Sequence, residues 1–437
     1  MSHRQSARVA ILLGIVLATT LWAGRSESAE RRSPSKQPVV TLNMWIMQNS
    51  QHKSAGSFSV FIRAFTQENP YVKVAVTLIP WAGAWDKIQG AIHGGPSPDI
   101  VQLGTTWVST IAATGKLLNI TGEYDEKIFP TQVLATTTIE ARPGAKARRF
   151  VMPWIVDTRA LYYNKAACAL AGVDPKTDFA TWASFKAALK KLKDVEVDGK
   201  RMQPFVVPRN NWDVVHTLSW WIWGFGGGFI SRTPEESGIN SPGSLAGIEY
   251  AIGLVREGLM MHSPEDGNMR AIANMLEKGE VATAIGYPVA MLGGERFGVT
   301  ILPAGPKGRF TFLGGSALAI LKSSMHPKES LALIKFLSDE AVQFSYSNLT
   351  GLLPAAAAEY DELALKLDPV RRVFVEQMHY GKSYPAIPQW GPIENLLRDG
   401  FNSLWDMVLQ PGPYDPAAVR SRLDELAKQI DHILAGN

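Results

Sequence analysis

The residues best suited to chemistry are an arginine, an amide and an indole that share one predicted loop. Arg209, Asn211 and Trp212 lie between a strand-like run at residues 204–207 and a predicted helix. A sugar ring has an apolar face and a polar rim, so an indole beside amide and guanidinium groups suits it. Covering one ring face removes roughly 80 Å² of apolar area, worth about 2 kcal/mol. The loop therefore predicts a carbohydrate contact, and the alternative for Trp212 is a place in the core.

Motifs for catalysis, metal binding and nucleotide binding are missing from the sequence. The eight histidines form no HxxH or HExxH pair, and there is neither a GxxxxGK[ST] loop nor a GxSxG elbow. The single cysteine, Cys168, lies in an apolar helical context and is expected in the core. We therefore expect no enzyme activity, no cofactor and no metal. A pair of distant carboxylates, as in glycosidases, stays open.

Length and composition indicate a globular protein of two domains. The chain has 437 residues, of which 46% are hydrophobic and 19% charged. Its formal net charge is +4, and Arg4, Arg8, Arg25 and Glu27 place half of that charge in the first 29 residues. A body this close to neutral gives no reason to expect a nucleic-acid partner.

The first 29 residues are typical of a secretory signal peptide. Arg4 and Arg8 precede an apolar run from Val9 to about Trp22, and small and polar residues follow. An uncleaved membrane anchor is the alternative. Because no cysteine follows the apolar run, no lipid attachment is expected there. We predict a signal peptide at 1–29, a linker at 30–37 and a soluble mature protein in the periplasm.

Strand and helix patterns alternate from residue 39 onwards. Apolar strand-like runs at 39–46, 72–78 and 99–103 are separated by helical stripes, which predicts a doubly wound parallel sheet. Ligands of such sheets lie at the carboxyl ends of the strands. This rule selects residues 47–50 and 104–107, and with them the candidates Gln48, Thr105, Thr106 and Trp107. Further on, helices with apolar stripes are predicted to begin at Thr181, Ser244 and Asp415, and Trp182 and Trp405 are expected in the core.

Five segments, in order along the chain, carry a family resemblance. They are residues 98–103 (PDIVQL) with 113–120 (ATGKLLNI), 152–157 (MPWIVD) with 161–165 (LYYNK), 277–282 (EKGEVA) with 285–288 (IGYP), 312–315 (FLGG), and 387–390 (IPQW). Together they resemble the extracellular solute-binding proteins of ATP-driven importers, in particular the carbohydrate branch that includes maltose-binding protein. Residues 152–157 with 161–165 correspond to that family's first crossing between lobes, and residues 312–315 to its second.

The resemblance implies further site residues. Asp157 falls where the family has a sugar-binding carboxylate, although pairing with Arg159 is its alternative role. Trp390 falls beside the position of a stacking aromatic of the family. A second stacking aromatic of the family is replaced here by Val289, and Tyr287 lies two residues before it. Gly314 and Gly315 belong to the second crossing. Thr106 and Trp107 stand where the family has an Asp-Arg pair, which puts maltose itself in doubt but leaves a carbohydrate expected.

The resemblance implies a two-lobe periplasmic-binding-protein-like fold of type II, which is α/β throughout. Each lobe would be a doubly wound sheet flanked by helices, with hinge crossings between them. The first lobe would comprise residues 38–155 and 316–350, and the second residues 158–312 and 353–437. A monomer would capture a carbohydrate, an oligosaccharide by expectation, in the cleft and deliver it to the permease subunits of an ABC importer. The alternatives are a binding protein for an anionic solute such as glycerol phosphate, and a secreted carbohydrate-active enzyme.

Overall fold

The computed structural model describes residues 38–48, 58–139, 146–209, 212–231, 235–263, 269–288, 295–357 and 367–436. The predicted signal peptide and linker lie outside the described residues, as does the candidate Asn211. The strands are β1 (Val40–Met47), β2 (Val72–Ile79), β3 (Ile100–Gly104), β4 (Val151–Thr158), β5 (Ala160–Asn164), β6 (Glu196–Val197), β7 (Lys200–Arg201), β8 (Gln203–Val207), β9 (Met261–His262), β10 (Val281–Gly286), β11 (Phe297–Thr300), β12 (Thr311–Ile320), β13 (Leu353–Pro354) and β14 (Gly381–Lys382).

Helices cover both faces of the sheets. They are α1 (Ser59–Glu68), α2 (Ala84–Ile92), α3 (Val108–Ala113), α4 (Thr131–Ala135), α5 (Lys165–Leu170), α6 (Pro175–Asp178), α7 (Trp182–Leu192), α8 (Asp213–Gly224), α9 (Pro242–Arg256), α10 (Met269–Glu277), α11 (Pro327–Leu337), α12 (Glu340–Thr350), α13 (Pro369–Met378), α14 (Trp390–Leu409) and α15 (Pro416–Leu434). No helix among the described residues has both the length and the apolar composition that crossing a membrane requires.

One sheet of seven strands organises the first lobe, which we define as this sheet with α1–α4, α11 and α12. Its order is β13–β4–β12–β3–β1–β2, with β14 added beside β12. The predicted strand and helix alternation at its start is confirmed, since β1 pairs in parallel with both β2 and β3. The sheet is not wholly parallel, because β12 runs antiparallel to β3 and β4.

A second sheet of five strands organises the second lobe, which we define as this sheet with α5–α10, α14 and α15. Its order is β11–β5–β10–β8–β9. A tryptophan-rich core lies on the face covered by α7, α8 and α14, and it buries Trp182, Trp220, Trp223 and Trp405 to 3% exposure or less. The predicted core positions of Trp182 and Trp405 are therefore confirmed, as is the buried position of Cys168.

The chain crosses between the sheets at Arg159, where β4 of the first lobe is followed directly by β5 of the second. It returns into β12, whose Leu313 pairs with Thr158 of β4. α13 packs against strands of both sheets at this crossing. At the hinge the first sheet includes β4 as far as residue 158 and β12 from residue 311, so it extends past the predicted lobe boundaries at 155 and 316. The exact lobe boundaries stay a prediction.

Two of the three predicted helix starts are confirmed and the third is wrong. The side chains of Thr181 and Asp415 accept hydrogen bonds from the first turns of α7 and α15. Ser244 does not begin a helix, because α9 starts at Pro242 with Ser241 as its cap. Proline is favoured at the first helical position, where its missing N–H is not needed. The Ser244 hydroxyl instead donates to the Gly238 carbonyl oxygen at 2.7 Å.

Candidate functional site

A buried charge cluster lies at the crossing between the lobes. Arg159 is 2% exposed, and its guanidinium forms ion pairs with Asp157, at the end of β4, and with Asp213, at the start of α8, the latter at 2.7 Å. The same guanidinium lies 5.3 Å from the ring centre of Tyr287. Burial raises the pKa of Asp157, Arg159 lowers it and Asp213 raises it further. Two carboxylates share one cation here, so the ionised cluster carries net negative charge.

Stacked rings form one wall beside this cluster. The imidazole of His216 stacks on Phe312 with ring centres 3.9 Å apart, and its Nδ1 lies 2.8 Å from the hydroxyl of Tyr384. Burial and the charge of Arg159 hold the pKa of His216 well below its usual range, so this ring is neutral at physiological pH. The rings of this wall therefore carry no positive charge at physiological pH.

An open space lies between the lobes next to this wall. It holds about 280 Å³, a volume that includes space open to solvent. Its lining combines hydroxyl groups from both lobes with a few apolar side chains: Thr105, Thr106, Ser109, Thr136, Leu313, Ser383, Tyr384, Pro385 and Ala386. Hydroxyl groups both donate and accept hydrogen bonds, which suits a neutral polar ligand.

An indole cluster closes another side of the interlobe region. Trp107 of the first lobe meets Trp81, Trp85 and Trp212 edge to face, with ring centres 5.6 to 5.7 Å apart. Trp212 comes from the second lobe, so the contact between Trp107 and Trp212 joins the two lobes. The guanidinium of Arg398 lies 5.0 Å from the ring centre of Trp212. The lobes are thus in direct contact through aromatic surface.

The N-terminus of α14 also bridges the lobes. The Gly391 N–H donates to the Thr110 hydroxyl of α3 at 2.9 Å. A β-carbon at Gly391 would lie 2.5 Å from the Trp85 ring, so the close approach requires glycine there. One turn further on, Glu394 is 1% exposed and faces Thr106 and Trp107 of the first lobe. An ionisable side chain therefore lies inside the interlobe contact.

Residues 61–370 match the family described as bacterial extracellular solute-binding protein. The chain belongs to this family. The resemblance carried by the five sequence segments is therefore confirmed, and the interlobe region is the place where a solute-binding protein of two lobes encloses its ligand.

Named relatives and solved structures agree with this membership. The diacetylchitobiose-binding protein DasA of Streptomyces coelicolor is 23% identical over 375 residues, which cover 81% of this chain and 82% of DasA. The GacH receptor of Streptomyces glaucescens, solved without ligand and with acarbose, matches with a TM-score of 0.76 and 19% identity over 91% of this chain and 99% of that one. UgpB of Mycobacterium tuberculosis, solved with glycerophosphocholine, matches with a TM-score of 0.72 and 21% identity over 91% and 98%. These likenesses confirm the predicted two-lobe α/β fold of type II.

Seven of the predicted site residues lie in this interlobe region of the solute-binding protein. Thr105 and Thr106 line the open space, Trp107 and Trp212 form the interlobe contact, and Asp157 and Tyr287 contact Arg159. Gly314 pairs with Asp157 across the sheet, and a β-carbon there would lie 3.0 Å from the Thr105 hydroxyl. Contact with a ligand stays a prediction for each of them. The alternative role of Asp157, pairing with Arg159, is present in the structure.

Four other predicted residues lie apart from this group or have a structural explanation. Gln48 is exposed at the end of β1, and Arg209 forms an ion pair with Asp406 on α14. Gly315 has φ +142°, and a β-carbon there would lie 1.9 Å from a backbone oxygen, so its backbone conformation alone requires glycine. Trp390 is 1% exposed and packs against Tyr384 with ring centres 4.7 Å apart. A ligand that stacks on the indole of Trp390 would first have to displace Tyr384 from it.

Sequence reasoning missed four polar residues of the region: Asp213, His216, Tyr384 and Glu394. Only Glu394 left a readable signal. It falls on the core-facing stripe of α14, next to Ile393 and one turn before Leu397, which are both fully buried. A carboxylate at such a position is unusual unless it has a partner or a function.

Proposed function

We propose that this solute-binding protein captures a carbohydrate, specifically an oligosaccharide, between its lobes and delivers it to the permease of an ATP-driven importer. The observation that carries the proposal is the combination of indole faces and hydroxyl groups in one interlobe region. Trp212 is partly exposed and offers an apolar face beside the buried Trp107, while Thr105, Thr106 and Ser383 offer donors and acceptors. This combination matches the apolar faces and polar rim of a sugar.

Family membership supports transport rather than catalysis. Diacetylchitobiose and acarbose, the ligands named for two similar proteins, are consistent with a sugar ligand here. The ligand would bind between the lobes and favour the closed form, because only there can it contact both lobes at once. The permease would then recognise the closed form. The protein would act as a monomer, exported by its signal peptide to the periplasm, without a cofactor, a nucleic-acid partner or enzymatic activity.

A phosphodiester or other anionic solute is the second candidate, and glycerophosphocholine in UgpB favours it. A phosphate would need free guanidinium or ammonium groups. Arg159 already pairs with two carboxylates, and Arg398 donates to both oxygens of Asp399 at 2.8 and 3.1 Å. These pairings argue against an anion. A carbohydrate-active enzyme would need two free, opposed carboxylates, whereas Asp157 and Asp213 share one arginine.

A thermal-shift screen tests the proposal. Mono- to tetrasaccharides of neutral and amino sugars would be compared with glycerophosphocholine on the mature protein. A specific ligand at 100 times its Kd stabilises by about 2.7 kcal/mol. We expect stabilisation by an oligosaccharide and none by glycerophosphocholine. Stabilisation by glycerophosphocholine alone would contradict the proposal.

A further inference from the structure

Glu394 is a buried carboxylate that forms no ion pair among the described residues. The side chain is 1% exposed. Thr106 and Trp107 lie close enough to lower its pKa, but neither carboxylate oxygen accepts a hydrogen bond of good geometry from the described residues. Burying a carboxylate without compensation is strongly unfavourable, because the protein interior does not replace its hydration. A helix that needed only packing at this position would carry an apolar residue, as it does at Ile393 and Leu397.

The groups that face Glu394 come from three elements. Arg398 lies on the same helix, but its guanidinium is held by Asp399. Tyr384, in the loop before α14, has its pKa raised well above the usual range by burial and by Glu394, so it stays a neutral phenol bonded to His216. From the first lobe come the Thr106 hydroxyl and the Trp107 indole. None of these groups supplies a free positive charge.

The position of Glu394 connects it to the interlobe space. Thr106 and Tyr384, two of its neighbours, line that space. Glu394 itself does not line the space, so a ligand group would have to pass between these two neighbours to meet a carboxylate that can accept hydrogen bonds at both oxygens.

We propose that Glu394 is a ligand-contacting residue, which accepts hydrogen bonds from a ligand group bearing at least two donors, either neighbouring hydroxyls or an ammonium. Its identification as a sugar contact rests on the proposed function, while its role as an acceptor does not. Charge-assisted hydrogen bonds to two donors are strong and directional. Glu394 would thus select which part of the ligand enters the space beside Tyr384.

The proposal has a consequence for pH dependence. Burial raises the pKa of Glu394 to about 8, against the opposing effects of Thr106, Trp107 and Arg398. Donors of a ligand favour the ionised form, so binding lowers this pKa and releases a proton. Affinity is then fully present above about pH 8 and decreases as the pH falls below it. Tyr384 and His216 do not titrate in this range, since the pKa of each is shifted away from it.

Calorimetric titration of the intact mature protein tests the proposal. Maltotriose, the glucosamine trimer chitotriose and glycerophosphocholine would be titrated from about pH 6 to about pH 8.5. For the probe that binds, E394Q should weaken affinity about 10- to 150-fold at the upper pH and abolish the pH dependence. E394D should weaken affinity and keep the pH dependence. E425Q, which removes an exposed carboxylate from α15, should change neither. The ligand-free melting temperature of E394Q should not fall, because a neutral isostere replaces a buried acid.

The outcomes separate the two proposals. A sugar that binds E394Q as tightly as wild type, with the same pH profile, would overturn the role of Glu394 and leave the proposed function intact. Binding of glycerophosphocholine alone, weakened by E394Q, would overturn the carbohydrate proposal and support the acceptor role. Binding of none of the three probes would contradict both.

Discussion

Asp157 shows how one side chain can serve both the hinge and the ligand. Its carboxylate pairs with Arg159, yet 28% of the side chain remains exposed at the interlobe face. Arg159 is only 3% exposed and keeps Asp213 as a second partner at 2.7 Å. Neutralising Asp157 therefore leaves the arginine compensated, whereas removing the arginine leaves two carboxylates together.

Asp157→Asn should weaken ligand affinity about 10- to 150-fold, since one charge-assisted acceptor is lost. Its free energy of unfolding should change by less than about 1 kcal/mol, because Asp213 still neutralises Arg159. Arg159→Met should instead cost about 3–5 kcal/mol of stability. Calorimetry and urea unfolding of both variants measure the two effects. Unchanged affinity with a lower melting temperature in Asp157→Asn would assign this carboxylate to the hinge alone.

His262 should make stability depend on pH. Both of its ring nitrogens lack a hydrogen-bond partner among the described residues, and burial together with Arg209 lowers its pKa to about 3. In the unfolded chain His262 takes up a proton near pH 6.5, whereas in the folded protein it stays neutral. The free energy of unfolding therefore decreases as the pH falls below about 6.5. Wild type should lose about 1.4 kcal/mol more per pH unit below 6.5 than His262→Leu. The exposed His432→Asn, as a control, should keep the wild-type slope, and equal slopes for all three proteins would refute this role.

At the scale of elements, the backbone of β12 is constrained at one glycine. Its N-terminal half pairs with β4 at the crossing, and the register with β4 shifts after Ser316. Gly315 lies just before that shift with φ +142°, a conformation that side chains rarely adopt. The strand can therefore bend between the lobes only with glycine at this point.

Gly315→Ala should destabilise the protein by at least about 3 kcal/mol, because its β-carbon would collide with a backbone oxygen of Ile155 in addition to the unfavourable φ. Gly253→Ala is the matched control. It lies within α9 with nothing near its added β-carbon, so it should stabilise by about 0.5–1 kcal/mol. Urea unfolding measures both. A tolerated alanine at 315 would show that the crossing can adopt another backbone path.

Local periodicity explains which elements could be read from the sequence. The alternation in β2 and the stripe of α15 repeat over neighbouring residues, so both were predicted correctly. The charge cluster at the hinge could not be read in this way, because Asp213 lies 54 residues from Arg159 and no pattern links them. Trp390 looked like a ligand aromatic next to a motif, yet it packs fully against Tyr384. The types of residues and their spacing along the chain do not show which face of a helix a distant loop covers.

At the scale of the whole molecule, the two lobes meet through Trp107 and Trp212. The ring of Trp212 belongs to the second lobe but packs with the core of the first. A ligand that bridges the lobes has to meet these faces or displace their contact. Trp405, in contrast, lies inside the second lobe at 1% exposure.

Trp212→Ala should therefore weaken sugar affinity by about 1–3 kcal/mol, the scale of one lost apolar face. Trp405→Ala should lower the free energy of unfolding by about 3–5 kcal/mol and leave the affinity of the folded fraction unchanged. Titration calorimetry combined with thermal unfolding separates the two variants. Equal losses of affinity in both would mean that Trp212 acts only through stability.

A tryptophan-fluorescence titration with oligosaccharides tests the central claim most directly, since the indoles at the interlobe contact report on ligand there. For wild type we predict a saturable change with at least one oligosaccharide and one binding site per chain. The change should be strongly reduced in Trp212→Ala and retained in Glu425→Gln. A saturable change of undiminished size and affinity in Trp212→Ala, or no response to any oligosaccharide, would contradict the account.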